Sequence, residues 1–427
     1  MKAASWERTT LGKALPIRYG KARTEKAGVV REETPVYGSS GVIDKFNRAL
    51  TSGPTLIIGR KGTVGATHYS AEPCWPIDTV YFAEASEDKD LRFFKYLLDH
   101  LQLGRMDRST AVPGLSRDDY NAKEIAIPDI DEQQNVVAEI EKQFTRLDAG
   151  VASLKRVLTA LQRYRTSLLK AACEGRLVST EAELARKENR SYETGEQLLQ
   201  RILKERRQSW NGKVKYKQPA LPNVADLPAL PEGWAWASVD QLLLKVTDGD
   251  HQPPPQTDSG VPFLVIRNVR SSELDFSDTR FVSRQYADGV EPFRKPAKGD
   301  ILYTLVGSYG MALRVTTNRE FCIQRHIGVL RPHKLSPADY LSHILNSSFV
   351  FQRAKKVATG TAQLTVSLAG LRRIPIPLPP FTEQARIVAE VERRLSGIEK
   401  LEVIVNADLQ RSSRLRQSVL TRAFSPT

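Results

Sequence analysis

Pro128-Asp-Ile-Asp-Glu-Gln-Gln-Asn-Val-Val-Ala-Glu-Ile-Glu-Lys-Gln-Phe144 and Pro379-Pro-Phe-Thr-Glu-Gln-Ala-Arg-Ile-Val-Ala-Glu-Val-Glu-Arg-Arg-Leu395 are one stretch written twice, 251 residues apart. Glu132, Gln133, Val137, Ala138, Glu139 and Glu141 recur as Glu383, Gln384, Val388, Ala389, Glu390 and Glu392. The register then holds without a gap, and Arg163, Arg165, Ser167, Leu169 and Ala172 return as Arg414, Arg416, Ser418, Leu420 and Ala423. Proline, favoured where a helix starts, opens both copies, so each reads as one long helix.

The first copy sets Val137, Ile140, Phe144, Leu147, Val151, Leu154, Leu158, Leu161 and Leu168 at alternating steps of three and four, with Arg165 in the one missing place. That is a heptad seam, the mark of a helix that lies along a partner helix. From Asp131 to Ala171 it would measure roughly 60 Å at about 1.5 Å per residue. The second copy keeps Val388, Val391, Leu395, Ile398, Val405, Leu409 and Val419 but puts Glu402, Ser412 and Arg416 on the same seam. Being weaker, it is expected to take the first copy as its partner. An antiparallel pair would hold a globular domain at each end, related by an approximate twofold axis. An arginine on a packed seam needs an acid, and the sequence offers Glu390 to Arg165 and Glu139 to Arg416 as the pairs that fix the register.

A repeat carries with it whatever lies between its copies, so the whole chain is expected to have two similar halves. Residues 1–127 read as a first globular domain of short strands and glycine-rich turns, opened by Trp6. Residues 128–230 read as the central helical spacer followed by a linker marked by Pro219, Pro222 and Pro228. Residues 231–378 form the second globular domain, and 379–427 the C-terminal spacer. Leu56-Ile57-Ile58 leads into Gly62 and Gly65 as Ile301-Leu302-Tyr303-Thr304 leads into Gly307 and Gly310. Thr110, Ala111 and Ser116 match Thr361, Ala362 and Ser367 at the offset of 251. Between these frames the two segments share little sequence.

The chain has 427 residues, 41% hydrophobic and 26% charged, the composition of a soluble globular protein of several domains. Lys and Arg outnumber Asp and Glu by 63 to 49, a net charge of +14 that favours a polyanionic partner, nucleic acid first. No stretch approaches the ~18 apolar residues of a membrane span, and no secretory leader is visible, so a cytoplasmic protein is expected. Cys74, Cys173 and Cys322 lack metal-site or disulfide spacing and read as small buried hydrophobes.

These features together resemble the specificity subunit of a type I restriction-modification system. The carriers are the twice-used proline-to-Glu-Gln helix starts, the Trp-opened domains, the Gly-Thr-Ala-Gln turn at Gly360 to Gln363 and Ser418-Val-Leu-Thr-Arg-Ala-Phe424. The first copy departs from the pattern at Asp129-Ile130-Asp131, where the second has Pro380-Phe381-Thr382. The resemblance implies an α+β chain: two α/β target-recognition domains separated by two long antiparallel coiled-coil helices. It implies that each domain binds one half of a split double-stranded DNA target. The helices would dock two methyltransferase subunits and, through them, restriction and translocase subunits.

Candidate DNA contacts follow from residue chemistry. Gly59-Arg60-Lys61-Gly62-Thr63-Val64-Gly65 can present amides and two cations to a phosphate, or can simply be a tight hairpin. It lacks the Gly-Lys-Ser/Thr of a nucleotide loop. Ser308 and Tyr309 occupy its counterpart. Asp248 and His251 lie in an Asp-Gly-x-His turn that resembles a loop of recognition domains in this family. Arg267, Asn268 and Arg270 follow a strand and have the side chains that pair with guanine or adenine edges. Lys355, Lys356, Thr361 and Gln363 precede the second rod helix, with Arg105, Arg108 and Thr110 in the equivalent place before the first. No methyltransferase, helicase or nuclease motif, metal site or cofactor loop is visible, so a non-catalytic DNA-recognition subunit is expected. A methyltransferase acting alone and a coiled-coil scaffold that ignores sequence are the competing readings.

Overall fold

The computed structural model describes residues 6–23, 33–106, 114–211, 215–224, 226–250, 254–270, 273–361 and 363–425. It divides into unit 1, residues 1–157 with 404–427, and unit 2, residues 158–403. Unit 1 opens with β1 (Glu7–Thr10), α1 (Leu11–Ala14) and β2 (Arg18–Tyr19). Then come β3 (Thr34–Gly38), β4 (Gly41–Phe46), β5 (Thr55–Gly59), β6 (Thr67–Ser70), β7 (Trp75–Pro76) and β8 (Val80–Glu84). Helices α2 (Leu91–Leu101) and α3 (Arg117–Ala122) and strand β9 (Glu124–Ile127) lead into α4 (Ile130–Cys173), the first rod helix. β5 is buried along its whole length, as its unbroken Leu-Ile-Ile run requires of a central strand, and lies inside a four-stranded sheet ordered β2-β8-β5-β6. The other two sheets are β1-β9 and β4-β3-β7.

Unit 2 takes up the chain with α5 (Glu181–Glu188) and α6 (Gly195–Gln208), each started by a reciprocal capping box, Thr180 with Glu183 and Thr194 with Gln197. Next are β10 (Ala235–Ser238), α7 (Val239–Leu242), β11 (Leu243–Asp248), β12 (Val261–Leu264), β13 (Arg280–Val282) and α8 (Arg284–Gly289). They are followed by β14 (Ile301–Thr304), β15 (Ala312–Arg314), β16 (Cys322–Ile323) and β17 (Ile327–Pro332). Helices α9 (Ala338–Leu345) and α10 (Ser348–Val357), the hairpin β18 (Ala358–Thr359) and β19 (Thr365–Val366), α11 (Leu368–Arg372) and β20 (Pro375–Leu378) precede α12 (Phe381–Phe424), the second rod helix. Its sheets are β10-β20, β11-β17-β14-β15 and β13-β12-β16. The three sheets of unit 1 recur here: β12 pairs antiparallel with β13 and parallel with β16, as β3 does with β4 and β7, and unit 2 adds the β18–β19 hairpin. The sparse sequence match between the two interiors therefore conceals one topology. Strand ladders are made by backbone groups, which leave the side chains free to diverge.

Each rod helix contributes to both units. In unit 1 Val137, Ile140 and Phe144 of α4 and Leu420 and Phe424 of α12 join a core with Leu56, Ile58, Phe93, Phe94 and Tyr120. In unit 2 Leu169, Ala172 and Cys173 of α4 and Ile387 and Val391 of α12 join Ile301, Tyr303, Leu330 and Tyr340. The start of one helix thus meets the end of the other in each unit, which is antiparallel pairing. Every seam position from Val137 to Leu168 is buried or half-buried. The paired starts are built alike. Gln133 folds back so that its Nε2 donates to the Pro128 carbonyl at 3.0 Å, and Gln384 does the same to Pro379 at 3.0 Å. Cys74, Cys173 and Cys322 are buried and free.

Both seam arginines find acids across the rod, but not the expected ones. Arg165 meets Glu402 at 3.3 Å in unit 2, and in unit 1 Arg416 meets Asp148 at 2.6 Å while its guanidinium lies 4.0 Å from the Phe144 ring centre. Glu390 instead binds Arg393 and Arg394, and Glu139 binds Lys142 and Gln143, all on their own helices. The helical register causes the difference: it sets Arg165 beside the middle of α12, several turns beyond Glu390. Replacing Ile140, which is 1% exposed, by Ala is expected to cost about 2–5 kcal/mol, whereas Val403→Ala at a 69% exposed position should stay within about 0.5 kcal/mol. Denaturant unfolding of the full chain measures both.

Candidate nucleic-acid interface

In each unit the central strand of the four-stranded sheet runs into a loop that only glycine permits. Gly62 and Gly65 in unit 1 have φ of 79° and 73°, and Gly307 and Gly310 in unit 2 have 68° and 94°. A Cβ at Gly65 would overlap the amide nitrogen of Gly104, and one at Gly310 would come within 2.8 Å of the Phe351 ring. The closing bonds are the same: Gly59 N–H donates to Ala66 O and Gly65 N–H to Gly59 O, as Thr304 N–H donates to Met311 O and Gly310 N–H to Thr304 O.

Each loop is tied to the segment that leads toward the rod. Lys61 bridges Gly114 in unit 1, and Val306 bridges Thr365 in unit 2. Leu115 N–H donates to Arg60 O at 2.9 Å, Val366 N–H to Leu305 O at 2.8 Å and Gly307 N–H to Leu364 O at 3.0 Å. Two stretches about fifty residues apart therefore form one edge in each unit. In unit 2 that edge carries the exposed Ser308, Thr361 and Gln363, with Lys355 and Lys356 exposed on the last turn of α10, which runs directly into β18. Tyr309 lies flat on Phe351, with ring centres 5.6 Å apart and planes 10° apart. Nothing in the sequence pattern marked Phe351, which is 39% exposed.

In unit 1 Lys61 and Thr63 are exposed on the loop, and Arg105 is exposed on a 3-10 turn at Leu103–Met106. Arg60 is half-buried, its guanidinium 5.2 Å from the ring centre of Tyr19, which Arg117 approaches at 5.6 Å. The Tyr81 hydroxyl donates to Leu115 O at 3.0 Å, and burial pushes this phenol up to about 12, so it stays a donor. Arg108, Thr110 and His251 lie outside the described residues.

The remaining sequence candidates are engaged within unit 2. Asp248 is held by Arg294, whose Nη1 reaches its carboxylate at 2.9 Å and the carbonyls of Asp248 and Gly249 at 3.1 and 2.9 Å. Asn268 is 2% exposed. Its carboxamide accepts from Val265 N–H and donates to Asp275 O and Asp278 O, each at 3.0 Å, so it shapes a backbone turn and faces no groove. Arg267 pairs with Asp278 at 3.1 Å, and Arg270 with Asp275, both on the surface. Hydrogen bonds from Ser277, together with Arg270, hold the Asp275 carboxyl well below the usual carboxylate range.

Two copies of one mixed α/β domain, each with a glycine loop tied to the segment that leads into a rod helix, make up the chain. The family model for the type I restriction modification DNA specificity domain matches residues 5–159 and 257–402, and the chain belongs to that family. It is 26% identical over 376 residues to the type I restriction enzyme EcoBI specificity subunit of Escherichia coli, covering 86% of this chain and 72% of that one. It is 22% identical over 348 residues to the EcoKI specificity subunit of Escherichia coli strain K12, covering 78% of this chain and 63% of that one. A chain from a solved structure on complex assembly and conformational transition of the type I R-M system shares the fold. The TM-score is 0.61 at 18% identity, over 98% of this chain and 97% of the other.

Asn268→Ala would remove the buried carboxamide that ties three backbone groups of this turn and is expected to destabilise unit 2 by about 1–3 kcal/mol, visible in thermal unfolding. Gln363→Ala, at an exposed position, should leave the transition unmoved.

Proposed function

We propose that this chain is the DNA-specificity subunit of a type I restriction-modification complex and that each globular domain reads one half of a split double-stranded target. The observation that carries the reading is the loop edge built twice with the same backbone bonds but different side chains: Arg60, Lys61 and Thr63 in one, Ser308, Tyr309 and Gln363 in the other. One backbone device with two sets of side chains is what reading two different short sequences requires. Phosphate contacts by Lys and Arg position such a domain, and base-edge contacts specify. Gln363 is the base-edge candidate of the second domain, since glutamine can bond adenine with two hydrogen bonds. Lys61, Arg105, Lys355 and Lys356 suit phosphates, and the net charge of +14 favours DNA overall.

The paired helices set the gap between the half-sites and dock two methyltransferase subunits, through which restriction and translocase subunits join. The chain binds and positions, and the chemistry belongs to its partners. No helix among the described residues is long and apolar enough to cross a membrane, and the subunit works in the cytoplasm with the DNA. Adenine methylation mapped genome-wide in cells with and without this chain, its methyltransferase present in both, tests the reading. A split motif with a constant gap should appear only with the chain, and Gln363→Ala should relax one half of that motif while sparing the other. Methylation at the same sites without the chain would refute it.

A further inference from the structure

Beside the recognition hairpin of unit 2 lies a cleft of about 710 Å³ between the proline-rich stretch at Leu221 to Asn223 and the ends of α10 and α11. Among the described residues three cations line it, Arg353, Lys356 and Arg373, and no carboxylate does. Arg353 is held in place, donating to Asp226 O at 2.7 Å with its guanidinium 5.3 Å from the Phe349 ring centre. Lys356 and Arg373 are exposed, and neither makes a side-chain hydrogen bond or ion pair with the described residues. The Arg373 carbonyl accepts from Asn223 N–H at 3.2 Å, which fixes the opposite wall.

Another cleft of unit 2, about 850 Å³ beside Tyr309, is different. Its cations are matched by acids: Arg314 pairs with Asp339 and Arg165 with Glu402, and Glu392 and Glu399 also line the wall. Arg372, next to Arg373, is likewise engaged, donating to Val246 O at 2.7 Å. Lys356 and Arg373, which meet no acid among the described residues, thus line the same cleft, and Lys356 stands two residues before β18, the first strand of the hairpin that carries Thr361 and Gln363.

We propose that this cleft grips a backbone phosphate of the DNA duplex and so sets the depth and register at which the hairpin meets the bases. The proposal rests on the DNA-specificity reading and adds to it Arg353 and Arg373, residues outside the hairpin edge, as positioning groups. A cation near a helix C-terminus also complements the helix dipole; if that were the whole role, removing it would lower stability and leave DNA binding alone.

The test is a salt titration of DNA binding by the full chain assembled with its methyltransferase, on a duplex carrying the mapped target and on one with both halves scrambled. Each phosphate that is no longer neutralised lowers the slope of log K against log salt by about 0.9. Lys356→Gln with Arg373→Gln should lower the slope by about 0.9, weaken both duplexes by the same factor of tenfold or more at low salt, and keep the target preference within twofold. Lys356→Arg with Arg373→Lys should bind like the parent, and thermal unfolding should be unchanged in both variants. An unchanged slope, or a weakening confined to the target duplex, would overturn the cleft assignment while the specificity reading stood. Equal affinity of the parent complex for both duplexes would instead overturn the specificity reading, and the cleft with it.

Discussion

The antiparallel seam between α4 and α12 is the constraint on which everything else depends. Each helix begins in one domain core and ends in the other: α4 is planted by Val137, Ile140 and Phe144 and finishes at Leu169, Ala172 and Cys173. Burying these apolar side chains contributes roughly 1.5–3 kcal/mol for each large one, so neither domain core is complete without the far end of a helix that started elsewhere. The buried glutamines at the two helix starts show the same economy of parts. Gln133 and Gln384 make the same bond to the same proline carbonyl, and Gln133 also accepts from Asp90 N–H at 3.0 Å, fastening the start of α2 to the start of the rod.

The two starts are not fully equivalent. In unit 2 Glu383 is completely buried, receiving the Trp234 indole N–H at 2.9 Å and the Glu181 amide at 2.8 Å. Burial raises its carboxyl above the ordinary range. Glu132, its counterpart, is half-buried, and its amide donates to the Asp129 side chain at the helix start. The difference comes from the start of α5, whose Glu181 amide meets Glu383, and from α6, which adds Leu198, Leu199 and Ile202 to the core of unit 2. A twofold pattern in the sequence has thus been adapted to two different surroundings.

The rod was legible because a heptad seam is a side-chain pattern that survives without knowledge of the partner. The duplication was legible for the same reason, and so were the glycine loops, since Gly62, Gly65, Gly307 and Gly310 occupy backbone positions that other residues avoid; that each loop pairs with the segment before the rod was not. The shared three-sheet topology was hidden because strand pairing leaves little mark on sequence. Arg165 could be recognised as needing an acid, but naming Glu402 required the register between two helices. Asn268 illustrates the opposite failure. Its position after a strand beside two arginines suggested a reader of bases, while its carboxamide in fact closes a backbone turn. Which exposed residues meet base edges depends on how the duplex lies, and that information is not in the chain alone.

If the rod sets the gap in the target, lengthening it must lengthen the gap. One heptad inserted near the middle of each rod helix keeps the seam in phase and adds about 10 Å at about 1.5 Å per residue, close to three base pairs. Methylation mapping with this variant is the most direct measurement. The account predicts the same two half-sites with a gap wider by about three base pairs. An active complex that methylates the original motif with its original gap would contradict it.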